Sequence, residues 1–279
     1  LTGTASLAGS SRPGVHLLGG FNGTETSAWQ RDPAISPTSW HGTPGAPLFR
    51  LDHASAVFEG FNVDTGTNGV QATLSGQRLE VRGVDFAVFA TNGVDVSSDG
   101  TAGAVLVVES GGFDGSGLRG VHAFAGSGTI TGLIRANTFT GGSEAAIRAD
   151  AHPGVNPATV SLTIVRNRIQ GGGAGVMLGA YASDAGGAAL QQSAVASNFI
   201  WNTNGPGVRV EASGNFFTLA GATSAKAVPT ITGNTISGTG ADGIACVATR
   251  SDSSGNATIH LVLAQPPIWD NLITFVAGA

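Results

Sequence analysis

Cysteine, methionine, lysine and tyrosine each occur once in the 279 residues. The lone cysteine, Cys246, excludes an intrachain disulfide. Its setting, Gly243-Ile244-Ala245-Cys246-Val247, reads as that of a small apolar core residue. Charge is scarce at 11%, and the 13 basic residues, all arginine but Lys226, form no stripe, which argues against nucleic acid as a partner. No apolar run is long enough to cross a bilayer. No signal peptide stands at the start, so a secreted origin implies a leader already removed. Stretches with helical periodicity are missing too, and five of the six histidines, His16, His41, His53, His152 and His260, show no metal-ligand spacing. No cofactor and no metal is expected.

What the chain has is glycine, 44 residues of it, without the three-residue period of collagen. Hydrophobic residues make up 41%, enough for a sizeable core. The two together suit a β-rich chain with many tight bends.

An internal repeat organises residues 56–279. Its clearest copies are Asn137-Thr138-Phe139, Asn167-Arg168-Ile169, Asn198-Phe199-Ile200, Asn234-Thr235-Ile236 and Asn271-Leu272-Ile273. Earlier copies, such as Val84-Asp85-Phe86 and Gly111-Gly112-Phe113, replace the asparagine. A glycine or alanine step followed by Val70, Val94, Val121, Ile147, Val176, Val208 or Ile244 runs in phase with it, and the spacing drifts from 24 to 36 residues. A helical repeat array would hold its period, whereas a coil of stacked strands tolerates loops of any length.

The predicted fold is therefore all-β, a right-handed parallel β-helix of about eight or more rungs. Residues 1–55 form an N-terminal lead-in segment with the first rungs, and 56–279 form one continuous domain. Inward side chains should stack in ladders: Val81, Val108, Ile134, Ile164, Val195, Ile231 and Ile268 in one, and Phe86, Phe113, Phe139, Ile169, Ile200, Ile236 and Ile273 in another. Asn137, Asn167, Asn198, Asn234 and Asn271 should form a structural ladder, bonding to the bend and to each other. Four residues ahead of Val63, Phe86, Phe113 and Phe139 lie Glu59, Arg82, Glu109 and Arg135, an alternating surface charge ladder. The last copy stops inside its repeat and no amphipathic helix covers either end. Continuation in a longer chain, or end-to-end self-association, is expected.

Gly19-Gly20-Phe21 through Thr26, Arg31-Asp32-Pro33, Ser36-Pro37-Thr38 and Phe58-Glu59-Gly60-Phe61 resemble the opening of bacterial parallel β-helix surface proteins of the polymorphic outer-membrane and DUF1565-like group. Ser36 stands where that pattern commonly has Asn, and Phe58-Glu59 where it has Leu-Asp. The resemblance implies an extracellular or cell-surface location and an adhesive role.

One constellation carries chemistry. The residue after each Gly-Val step, and the one two further on, should face outward. Successive rungs then present Asp95, His122, Arg148 with Asp150, Met177, and Arg209 with Glu211. A histidine between a carboxylate and a guanidinium could move protons; the plainer reading is a solvated face of paired charges. Arg209 and Glu211 should pair with each other. Trp201, following an inward Ile200, is the most exposed candidate for stacking on sugar, ahead of Trp29, Trp40 and Trp269. Lys226 reads as a loop charge. Asn22-Gly23-Thr24 and Asn256-Ala257-Thr258 match a glycosylation sequon, as turn sequences often do. Two functions follow: a non-enzymatic structural or adhesive module, or a glycan-binding or polysaccharide-cleaving β-helix acting through Asp95, His122, Arg148 and Asp150. Cleavage would need a groove several sugars long, walled by 181–192 and 212–228.

Overall fold

The computed structural model describes residues 4–8, 14–20, 31–32, 38–182, 187–214, 224–250, 258–261 and 268–274. Strands in these residues fall into three sheets, and every pairing is parallel. Each coil of the chain visits the sheets in turn. One coil runs through Asn92–Ser98 in sheet I, Ala104–Glu109 in sheet II and Gly112–Ser116 in sheet III, and then Arg119–Ala125 returns to sheet I. Sheets I and III each hold nine strands. The chain is a parallel β-helix, with no helical segment among the described residues. At ~4.8 Å per strand spacing the stack is roughly 40 Å long.

The ladders have the register that the repeat predicts. In sheet II, Val81, Val108, Ile134, Ile164, Val195, Ile231 and Ile268 are successive partners. In sheet III the succession runs from Phe86 through Phe113, Phe139, Ile169, Ile200 and Ile236 to Ile273. The phenyl rings stack nearly parallel, with centroids 4.8 Å apart for Phe86–Phe113 and 4.6 Å for Phe113–Phe139. Burial of these ladders is complete or nearly so from Phe86 to Ile236, and each fully buried large side chain contributes about 1.5–3 kcal/mol of transfer free energy.

The Gly-Val step has a steric origin. A Cβ on Gly93 would lie 2.7 Å from a ring carbon of Phe113; on Gly120, 2.5 Å from Phe139; on Gly207, 2.4 Å from Ile236. The missing side chain is the space into which the sheet III residue of the same coil packs.

The asparagines close the bend between sheets II and III. The residue before each has a left-handed backbone: Ala136 at φ 56°, Arg166 at 57°, Ser197 at 53° and Asp270 at 53°. The Nδ2 of Asn167 donates to the Ile134 carbonyl at 2.9 Å and to Asn198 Oδ1 at 3.0 Å, while its backbone N–H donates to the same oxygen at 2.9 Å. The pattern repeats from Asn137 to Asn271. These buried amides are fully used, and the bend's otherwise orphaned backbone groups are satisfied.

Two expectations need correction. Glu59 does not pair with Arg82, although the two are register partners. It binds Arg31 and His16 instead, and Arg82 binds Glu80 and, at 3.7 Å, Glu109. The remaining rung of the charge ladder, Glu109–Arg135, pairs at 2.7 Å. Lys226 is not in a loop: it lies exposed on the strand Ser224–Ala227, because sheet II widens in the later coils to two short strands each. The acceptor asparagines of both sequons, Asn22 and Asn256, and most of residues 21–37 lie outside the described residues.

Candidate functional site

Sheet I turns its outer face to solvent, and its register sets the site. Asp95 is aligned with His122, His122 with Arg148, and Arg148 with Met177. One further outward row contains Phe124, Asp150 and Gly179. The side chains are held by the strands, which in turn are held by the apolar ladder of Val94, Val121 and Ile147 beneath them.

His122 sits between two carboxylates. Its Nδ1 is 2.9 Å from Asp95 Oδ1, and its Nε2 is 3.5 Å from Asp150 Oδ2. Burial disfavours the imidazolium, but the hydrogen bonds to Asp150 and Asp95 and their charges outweigh it, so its pKa is raised. The expected guanidinium neighbour is displaced by one step: Arg148 Nε bonds Asp150 Oδ2 at 2.5 Å, so Asp150 stands between His122 and Arg148. Arg148 also binds Glu144, which binds Arg119 as well.

The cluster extends to Tyr181. Arg148 Nη2 donates to its hydroxyl at 3.4 Å, and the hydroxyl donates to Glu211 Oε2 at 3.4 Å. Burial and the charge of Asp150 push the Tyr181 pKa up to about 12. Arg209 and Glu211 pair with each other at 3.2 Å, as their shared face suggested. Trp201 belongs elsewhere. It is half-buried on sheet III, packed on Phe199 at 4.7 Å with Arg168 over its ring. Trp40 packs on Phe49, and Trp29 lies outside the described residues.

Arg119, His122, Phe124, Arg148, Asp150, His152 and Tyr181 line an open pocket of about 320 Å³. That is the low end of the range for small-molecule sites, and compact beside the several-sugar groove that cleavage would need. Parts of its expected walls, 183–186 and 215–223, lie outside the described residues. Phe124, His152 and Tyr181 form an aromatic row across adjacent strands, with centroids 5.9 Å apart at both steps. Asp150 Oδ1 and Arg119 Nε are buried and have no hydrogen-bond partner. No group of three or more metal-capable side chains gathers among the described residues.

Sequence reasoning found Asp95, His122, Arg148, Asp150 and the Arg209–Glu211 pair. It missed Phe124, Glu144, Arg119, His152 and Tyr181. Phe124 was within reach of the same rule, two residues beyond His122. Arg119 and Glu144 lie before the Gly-Val step, and Tyr181 beyond the outward pair, where no rule was applied.

Comparison of the chain with known protein families, with curated proteins and with solved structures gives no match in any of the three.

Proposed function

We propose that the chain is a non-enzymatic, adhesive β-helix module of a secreted or cell-surface protein, and that its outer face around His122 holds carbohydrate. The observation that carries the reading is the compact pocket in which aromatic rings adjoin a fully paired charge cluster. Aromatic faces and fixed polar groups side by side are what a sugar's two kinds of surface require. The pocket's volume of about 320 Å³ is small beside a groove several sugars long, which supports binding over cleavage. The resemblance of residues 14–63 to bacterial surface β-helices supports the location.

A second reading rests on one observation. His122, in line between Asp95 and Asp150, is arranged as a proton relay, which polysaccharide cleavage would use. Incubation with pectin, alginate or chondroitin, with and without Ca²⁺, separates the two. No unsaturated product is expected, together with retention of the protein on a glycan array that Phe124→Ala weakens. Product release lost in His122→Ala would replace binding by catalysis.

A further inference from the structure

We propose that the sheet I pocket takes a neutral sugar residue, whose hydroxyl groups meet Asp150 and Arg119 and whose ring lies against Phe124 and Tyr181. The inference rests on the carbohydrate reading above and names the ligand class.

Charge decides against an acidic sugar. Every cationic group of the cluster already faces a carboxylate: Arg119 faces Glu144, Arg148 faces Glu144 and Asp150, Arg209 faces Glu211, and His122 faces Asp95 and Asp150. A uronate would add a negative charge beside carboxylates that already match these cations, leaving an excess of negative charge in a half-buried site. Unpaired buried charge is among the costliest outcomes available to a protein. A neutral ligand disturbs none of the pairs.

The unmet hydrogen-bonding capacity points the same way. Asp150 has only 5% of its side chain exposed, and its Oδ1 accepts nothing. Arg119 Nε donates to nothing. One orphan acceptor and one orphan donor in a single pocket match the hydroxyl group, which both donates and accepts. The close packing over this carboxylate depends on Gly179, the register partner of Asp150. A Cβ there would lie 2.6 Å from Asp150 Oδ1 and 2.2 Å from the Tyr181 ring. Bare backbone at this position lets the Tyr181 ring close over the carboxylate, so a sugar hydroxyl reaches Oδ1 only as that ring swings aside. The same ring and Phe124 then offer apolar faces to the C–H side of a pyranose.

Saturation-transfer NMR with the intact chain tests the assignment, using the methyl glycosides of glucose, galactose and mannose beside those of glucuronic and galacturonic acid. At least one neutral glycoside should show transfer, with affinity falling tenfold or more in Phe124→Ala and in Asp150→Asn. Phe124 is only half-buried, so its variant keeps the test open where Asp150→Asn fails to fold. Preference for the uronates would overturn the neutral assignment and leave the carbohydrate reading standing. Neutral binding indifferent to Phe124→Ala would move the site off this pocket and overturn the inference. Silence from all five glycosides would overturn both.

Discussion

His122 Nδ1 lies 2.9 Å from Asp95 Oδ1, its register partner on the neighbouring strand of sheet I. That contact, with the one to Asp150 on the other side, ties three coils together through one imidazole.

The pair makes stability depend on pH. The folded-state pKa of His122 is raised above 6.5, so its contribution is fully present below about pH 6.5 and is lost as pH rises through the folded pKa. Each unit of separation is worth about 1.4 kcal/mol. Exposed His53, raised first by its hydrogen bond to Asp99, acts in the same direction but is screened by solvent. The melting temperature should fall between pH 6 and pH 8.5, and the fall should be shallower in His122→Gln. Thermal unfolding across that range checks it; identical slopes for both proteins would remove His122 from the account.

Asn198→Ala should cost about 3–5 kcal/mol. It removes the partners of the Asn167 backbone N–H, of one of the two Asn167 side-chain N–H groups and of the Ile164 carbonyl, all buried, at about 1–3 kcal/mol per unsatisfied group. Asn271→Ala, in a part-buried rung at the end of the described coils, should cost less. Denaturant midpoints of the two variants give the comparison.

Gly120→Ala should destabilise by about 1–3 kcal/mol through overpacking against Phe139. Phe139→Leu in the same chain should recover part of the loss, since the closest clash, at 2.5 Å, is with the ring, while that with the Ala146 carbonyl at 2.9 Å remains. A double-mutant cycle by chemical denaturation reads the coupling; additive losses would place the strain elsewhere.

Phe113→Ala should cost about 3–5 kcal/mol, as it empties the middle of a three-ring stack. Glu109→Gln, on the outer face, should cost about 1 kcal/mol or less, although Glu109 contacts two arginines. Ile164→Asp, at a fully buried rung, should abolish cooperative unfolding altogether. Circular dichroism of the three variants ranks them.

What could be read from the amino acids was everything that repeats. Phe86, Phe113 and Phe139 announce a ladder because a strand's side chains alternate with period two, and parallel coils must align like on like to keep one face buried. The asparagine role was legible for the same reason, since Asn137 to Asn271 recur at one fixed offset from those ladders. The register of Asp95 with His122 followed from it. Tertiary structure decided what does not repeat. That Asp150, not Arg148, is the second partner of His122 depends on side-chain reach between strands. Glu59 chose Arg31 over Arg82 because the lead-in segment brings a cation alongside it. Glu144, Arg119 and Tyr181 joined the pocket from positions outside the alternating rows. Periodicity sets which face a residue occupies; only the packed coils set which of several charges within reach each side chain takes.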